Sequence, residues 1–443
     1  MDVHLEAIKF NHDPASATLD AINIRKNATE EVPVPEWRRG SNSIPEDSVA
    51  AYSIRDRMGH KLTIQAQFSR EASSNIPETI WIRAMDPEFY PNGDIGLAPG
   101  VSTTQESQRR GCAWVFSWFF WLIIRGLIGS GILGDVVAKQ VRFRADNLTE
   151  FETFELDFDM IGRGIDVGTT TWLWQYRVSS SDRWTTFDVS RHKIYALLAT
   201  PGSPWQQSGF PTNRQLPWTE VLDYATNWAR RARTVDDVAT RITQSINRIG
   251  PSILRYDCES TIGIPNYSTR YTIDPFQCTK FLERLRGGPG NGPHVNCDDC
   301  AAAVTTFSNV LGCELSTAVI GNFGSTGGPQ GEFYLNPIRV IGYDGWQIPG
   351  DPRPSTHGDC LALILYFEYH NVAWTGACTE SDQVFDACLE VEETPGSLRP
   401  LVPTNMTFGV EGDGNYRDKV ARIGQRGSFQ PNPDRATREW TIV

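Results

Sequence analysis

The pattern of apolar and polar residues has a period of two in the first half of the chain. The segment LTIQAQF at 62–68 alternates apolar and polar residues, and TIWIRA at 79–84 follows the same pattern. Such alternation is typical of strands with one buried face. Similar segments lie between residues 136 and 198, separated by turn-forming residues. We therefore predict that residues 1–215 form a β-rich, sandwich-like region.

The period becomes helical after residues 201–217, a segment rich in Pro, Gly, Ser and Gln that predicts a domain boundary. Apolar residues then recur at spacings of three and four in 218–233 and in 235–249. Thr234 suits the N-cap of the second of these helices, and Gly250 suits its end.

A further helix is predicted to start at a cysteine. The Gly and Pro residues of 287–293 exclude a helix, whereas apolar residues recur with helical spacing in 300–311. Asp298 and Asp299 fall in the first turn, where they are explained as charges that complement the helix dipole. Cys297 would then lie at the positive end of the helix, where a thiol pKa is lowered. The alternative is that Cys297 only fills space, as buried free cysteines usually do.

Strand patterns return after this helix, so the predicted fold class is α+β. Five apolar segments predict strands, at 315–320, 333–341, 361–369, 372–374 and 384–391. We expect residues 216–400 to form one domain. Residues 401–443 are rich in Gly, Pro and Arg, and we predict that they form an extended C-terminal tail.

Two residues of catalytic type follow Cys297 in chain order. His370 precedes the apolar segment 372–374, and Asp386 lies in the next predicted strand. If these strands are antiparallel neighbours, the Asp386 carboxylate can orient the His370 imidazole. The imidazole would then hold or regenerate the thiolate of Cys297, and the helix N-terminus would stabilise that thiolate.

These features resemble the transglutaminase-like branch of the papain-like cysteine hydrolases and acyltransferases. The resemblance covers about residues 220–395 and implies a nucleophile-bearing helix packed on an antiparallel sheet. It also implies that Cys297 is the nucleophile, His370 the general base and acid, and Asp386 the orienting residue. Five segments carry it: the capped helix at 234–250, CDDCA at 297–301, Leu311-Gly312, HNVAW at 370–374 and Phe385-Asp386.

The implied activity is thiol-dependent acyl chemistry on an amide bond of a protein or peptide, without a cofactor. Cys297 would form a thioester that water or an amine resolves, as in a cysteine peptidase, an amidase, a glutamine deamidase or a transglutaminase. Three departures from the family leave the substrate class open. Val295-Asn296 replaces a common glycine, the segment 321–369 is longer than usual, and Ala387 follows Asp386 where proline is common.

Metal binding is the competing class of function. Cys297-x-x-Cys300 and His357-x-x-Cys360 are two close pairs of the ligands that a structural zinc site requires. Cys300 falls on the apolar stripe of the predicted helix, however, so we interpret it as a packing residue and predict no metal site. A catalytically inactive binding module that uses the β-rich N-terminal half is the third alternative.

The apolar run AWVFSWFFWLII at 113–124 is the least typical segment of the chain. A membrane-spanning helix needs about 20 apolar residues, so this run is too short to be one. We favour a buried element or an atypical segment over a membrane-inserting hairpin. The N-terminus lacks the basic and apolar regions of a signal peptide, which predicts a cytoplasmic protein.

Charge and cysteine content narrow the function further. The 443 residues carry a net charge of −12, which argues against nucleic-acid binding because such proteins present a basic surface. Eight of the nine cysteines lie between Cys258 and Cys388. In a cytoplasmic chain this cluster favours free thiols, metal ligands or catalysis over a disulfide framework.

Overall fold

The structure is a computed structural model of the full chain. It describes residues 2–12, 20–40, 48–56, 60–87, 132–157, 161–205, 215–258, 265–268, 275–321, 331–347, 366–425, 429–436 and 442. The apolar run at 113–124 lies outside these residues, and so do His357 and Cys360 of the alternative zinc site. Within the described ranges, no helix is long and apolar enough to cross a membrane.

The chain divides into two compact units, and its class is mixed α+β, as predicted. The first unit comprises Met1–Ile24 and Val32–Thr200, and the second comprises Arg25–Glu31 and Pro201–Val443. Strands occur in both units, whereas all the α-helices of the described chain belong to the second.

Two sheets build the first unit. Their strands are β1 (Val3–Lys9), β2 (Trp37–Arg38), β3 (Val49–Ser53), β4 (Thr63–Arg70), β5 (Thr79–Met85), β6 (Val136–Arg142), β7 (Glu152–Glu155), β8 (Asp166–Arg177) and β9 (Thr185–Leu197). One sheet has the order β2-β1-β4-β7 and the other the order β3-β9-β8-β5-β6. Neighbouring strands are antiparallel except β3 and β9, which are parallel.

The two sheets share one hydrophobic core. Phe68 of β4 packs edge-on against Trp174 of β8, with ring centroids 5.4 Å apart, and Phe154 of β7 contacts the same indole. Because alternate side chains of a strand point to opposite faces, the period of two at 62–68 places its apolar residues in this core.

The second unit combines five α-helices with eleven short strands in its described residues. The helices are α1 (Thr219–Trp228), α2 (Val235–Asn247), α3 (Cys278–Leu285), α4 (Cys297–Asn309) and α5 (Tyr416–Val420). The strands are β10 (Arg255–Tyr256), β11 (His294–Val295), β12 (Ser316–Ile320), β13 (Phe333–Tyr334), β14 (Ile338–Val340), β15 (Tyr366–Phe367), β16 (His370–Trp374), β17 (Gln383–Phe385), β18 (Leu389–Glu392), β19 (Pro400–Leu401) and β20 (Met406–Thr407).

Helix α4 is the central element of the second unit. It packs against β12 and β16 of the antiparallel sheet β12-β16-β17-β20, and it also contacts α1 and α2. All thirteen of its residues are buried, not only the predicted apolar stripe. Some of its polar side chains form hydrogen bonds within the helix. The Thr305 hydroxyl, for example, donates to the Ala301 carbonyl at 2.9 Å.

Two predicted strands are interrupted. The segment 333–341 divides into β13 and β14 around Asn336-Pro337, because proline cannot donate a ladder hydrogen bond. The segment 384–391 divides into β17 and β18 because the chain changes sheets. Strand β17 pairs with β16, whereas β18 pairs with β14. Asp386 therefore does not lie within a strand but directly follows β17.

The C-terminal segment differs from the predicted extended tail. Phe408, Tyr416 and Phe429 are fully buried within the second unit. The Phe429 ring stacks on the other two rings, which are tilted relative to each other. These aromatic residues are separated by eight and thirteen positions, so they produce no period that sequence patterns can detect.

Candidate functional site

A capping box fixes the start of α4. The backbone N–H of Asp299 donates to the Asn296 side chain at 3.2 Å, and the Asp299 carboxylate accepts from the Asn296 backbone N–H at 3.2 Å. This reciprocal pair satisfies two of the N–H groups that a helix N-terminus leaves unpaired. Cys297 is therefore the first residue of the helix, and only 5% of its surface is exposed.

The predicted lowering of the Cys297 pKa is wrong. Burial raises the pKa of this thiol well above its ordinary value, and the neighbouring Asp298 carboxylate raises it further. The backbone N–H of Asn371 opposes both effects, because it donates a hydrogen bond to the sulfur. Burial and the Asp298 charge thus outweigh the Asn371 hydrogen bond, and the resting thiol is neutral at pH 7.

The structure brings His370 and Asp386 together. Their strands β16 and β17 are antiparallel neighbours, with Ala373 opposite Phe385. The Nε2 atom of His370 lies 2.8 Å from Oδ2 of Asp386, and both side chains are buried. The imidazole also stacks on the Phe367 ring, with centroids 4.9 Å apart and an interplanar angle of 7°. Its plane is therefore set by two contacts.

The other imidazole nitrogen is available. Among the described residues, Nδ1 of His370 has no hydrogen-bond partner. The Cys297 sulfur is bonded instead to the N–H of Asn371, the residue after His370 on β16. The sulfur thus lies at the histidine-bearing strand without a hydrogen bond to the ring. Such contacts are often long in ligand-free enzymes and shorten when substrate binds.

Two further groups hold Asp386. The Tyr416 hydroxyl donates to Oδ2 at 2.7 Å, and the backbone N–H of Cys388 donates to Oδ1 at 2.8 Å. Together with His370, these donors leave the carboxylate little freedom to rotate. Sequence patterns did not reveal Tyr416, because it lies thirty residues away in the segment that we expected to be an extended tail.

Asp298 is a buried anchor and not merely a solvated first-turn charge. Its carboxylate accepts hydrogen bonds from the Tyr369 hydroxyl at 2.6 Å and from Nδ2 of Asn371 at 3.0 Å. These two residues flank His370 at the start of β16, so Asp298 ties the histidine-bearing strand to the start of α4. Burial raises the pKa of Asp298, although these donors act to lower it.

Asp299 anchors a different segment. Its side chain accepts hydrogen bonds from the backbone N–H groups of Asn266, Tyr267 and Ser268, at distances between 2.7 and 2.9 Å. Burial raises its pKa to about 6 against the lowering effect of these bonds. The two adjacent aspartates thus hold two separate parts of the unit around the start of α4.

The remaining cysteines near the site are thiols. Cys300 and Cys388 are free and buried, and they form a hydrogen bond with each other. Six free cysteines are described in the chain, whereas Cys258 is disulfide-bonded. The described residues contain no group of three or more His, Cys, Asp or Glu side chains that suits a metal ion.

Comparison with known proteins adds little to this description. No protein-family model matches the sequence, and no curated protein matches it. Among solved structures, the chain is similar to red sea bream transglutaminase, with 11% sequence identity and a TM-score of 0.27. That match covers 77% of this chain and 50% of the other, so the chain spans about half the length of the matched structure. A TM-score of this size does not establish a shared fold.

Proposed function

We propose that the second unit is a thiol-dependent acyl-transfer enzyme that acts on an amide bond of a protein or peptide. The observation that carries this proposal is the His370–Asp386 pair at 2.8 Å. Its unpartnered Nδ1 belongs to the same strand segment as the N–H group that binds the Cys297 sulfur.

In the proposed reaction, Cys297 attacks the carbonyl carbon of the amide. Because the resting thiol is neutral, it must lose its proton during the attack, and Nδ1 of His370 is the acceptor. The C–N bond of the tetrahedral intermediate then breaks, and the proton passes from Nδ1 to the leaving amine. A thioester remains on Cys297.

Asp386 fixes the tautomer that this step requires. Its Oδ2 atom accepts a hydrogen bond from the proton-bearing Nε2 of His370, so Nδ1 carries the lone pair. When His370 becomes positively charged, the buried carboxylate stabilises that charge. Tyr416 and the Cys388 N–H hold the carboxylate in place while this happens.

The second half of the reaction decides the product class. Water gives hydrolysis or deamidation, whereas a primary amine gives transfer of the acyl group. In both cases Nδ1 of His370 removes a proton from the incoming nucleophile, and Cys297 leaves as the thiol.

A small activated ester tests the proposal without knowledge of the substrate. We expect p-nitrophenyl acetate to release one equivalent of nitrophenol rapidly and to leave an acetyl group on Cys297, detected by peptide mass spectrometry. His370→Ala and Asp386→Asn should slow this acetylation strongly. His294→Ala is the control, because His294 lies three residues before Cys297 but outside the Asp386 hydrogen bonds. Equal acetylation of Cys297 in all four proteins would refute the proposal.

Deacylation then distinguishes hydrolase from transferase. Addition of glycine ethyl ester to the acetylated protein should yield the acetylated amine if the site favours transfer. If the rate of deacylation does not depend on the amine concentration, the site favours hydrolysis.

A further inference from the structure

The proposed mechanism uses one cysteine, but three lie at the site. Cys297 and Cys300 are one turn apart on α4, and Cys388 lies in the loop between β17 and β18. All three are free and buried. Helix positions three residues apart are neighbours on the helix surface, and Cys300 and Cys388 are hydrogen-bonded to each other. Cys300 is therefore the cysteine that neighbours both of the others, Cys297 along the helix and Cys388 through the hydrogen bond.

The effects of the three cysteines on one another's pKa agree with this arrangement. Charge on Cys300 raises the pKa of Cys297, and charge on Cys297 or Cys300 raises the pKa of Cys388. The hydrogen bond from Cys388 acts to lower the pKa of Cys300, although burial and nearby carboxylates make the net shift upward. By contrast, the buried thiol of Cys278 on α3 is influenced by Glu220 and Arg286 and not by a cysteine.

We propose that Cys300 and Cys388 form a relay: they reduce an oxidised Cys297 back to its thiol and are themselves oxidised to a Cys300–Cys388 disulfide. The site therefore carries its own repair for the nucleophile of the proposed function. The inference rests on that function only in taking Cys297 as the reactive thiol.

The oxidant is a hydroperoxide, and each step balances. The Cys297 thiol gives up its proton as its sulfur attacks the peroxide oxygen, the O–O bond breaks, and the departing alkoxide (or hydroxide) takes that proton, so that Cys297 sulfenic acid and an alcohol (or water) result. The Cys300 thiolate next attacks the sulfenic sulfur and expels hydroxide, which leaves as water after taking the proton of Cys300. A Cys297–Cys300 disulfide is formed.

The second exchange frees the nucleophile. The Cys388 thiolate attacks the sulfur of Cys300, the Cys297–Cys300 bond breaks, and Cys297 leaves as a thiolate that takes up the proton from Cys388. The N–H of Asn371 stabilises this leaving thiolate. Two thiols have been oxidised to one disulfide, and the sulfenic acid has been reduced to a thiol and water.

Peptide mapping of the oxidised protein tests the relay. The protein is treated with one equivalent of hydrogen peroxide, quenched with an alkylating reagent at successive times, and digested without reduction. In the wild type we expect a transient Cys297–Cys300 bridge, then a Cys300–Cys388 bridge together with free, alkylated Cys297.

Each variant should stop at a different product. Cys388→Ser should accumulate the Cys297–Cys300 bridge, and Cys300→Ser should leave Cys297 as its sulfenic acid, which a second equivalent of hydrogen peroxide converts to the sulfinic acid. Cys278→Ser is the matched control, as another buried thiol of the same unit, and should behave as the wild type. The wild-type time course needs no substitution, so it decides the question even if a variant misfolds.

Sulfinic acid on Cys297 of the wild type, without either bridge, would overturn the relay. Bridge formation does not require acyl transfer, so the two proposals can fail separately. If the disulfides form but Cys297 is never acetylated, the proposed function is refuted and the relay is supported. If Cys297 is acetylated but no disulfide forms, the relay is refuted and the proposed function is supported.

Discussion

We expect Asp298 to control the reactivity of Cys297 through its charge, and Asp298→Asn tests this directly. The substitution keeps the size of the side chain and removes one negative charge beside the sulfur. After burial, this charge is the largest cause of the raised Cys297 pKa. We therefore expect the variant thiol to have a lower pKa and to react faster, although a buried hydrogen-bond acceptor has been altered.

The size of the effect follows from Coulomb's law. At an effective dielectric constant of about 20, two like unit charges about 6 Å apart repel each other by about 3 kcal/mol. Removing a repulsion of this size lowers the pKa of the Cys297 thiol and increases its thiolate fraction at pH 7 by about a hundredfold. Each tenfold increase in the thiolate fraction comes at about a threefold cost in nucleophilicity, so the net gain is about threefold for each tenfold increase. Alkylation of Cys297 at pH 7 should accelerate about tenfold.

The assay is the rate of iodoacetamide labelling of Cys297 as a function of pH, read by peptide mass spectrometry. Cys278 is the internal reference, since local unfolding would accelerate its labelling as well. Asp236→Asn is the matched control, because Asp236 occupies the first turn of α2 rather than α4. An unchanged or slower Cys297 rate at constant Cys278 labelling would refute the electrostatic explanation.

Three further predictions concern stability, measured as the free energy of unfolding in urea. Tyr416→Phe should cost about 1.5–3 kcal/mol, because it removes a hydrogen bond to the buried Asp386 carboxylate; the exposed Tyr366→Phe should cost nothing measurable. Burial lowers the pKa of His192 to about 3. In the unfolded chain His192 takes up a proton below about pH 6.5, whereas in the folded chain it stays neutral down to about pH 3. The free energy of unfolding should therefore fall by up to about 5 kcal/mol between pH 6.5 and 3; an equal fall in His192→Gln would contradict this. Thr234→Ala should cost about 1 kcal/mol, because the Thr234 side chain caps α2; an unchanged midpoint would contradict it.

Local signals in the sequence were sufficient to predict several elements, including the helix that begins at Cys297. The start of α4 was predicted from the Gly and Pro residues that precede it and from the acidic residues of its first turn. The cap at Thr234 was predicted from its position before an apolar helical pattern. The alternation at 62–68 predicted β4 because period-two patterns mark a strand with one buried face.

Long-range contacts could not be predicted in the same way. Asp298 and Asp299 read as ordinary first-turn charges because their partners lie in distant segments. Tyr369 is 71 residues from Asp298, and Tyr267 is 32 residues from Asp299. The direction of the Cys297 pKa shift also needed the fold, because the helix position predicts a lower pKa and only the buried environment reverses it.

This reversal changes what the site must do. A thiol with a lowered pKa would be reactive by itself, and His370 would only preserve the resting ion pair. A buried neutral thiol beside Asp298 needs a base that accepts its proton during the attack. That base must keep Nδ1 unprotonated, which depends on the hydrogen bond from Nε2 to Asp386. In the proposed mechanism, reactivity therefore rests on the position of one carboxylate, and the donors from Tyr416 and Cys388 both converge on that carboxylate.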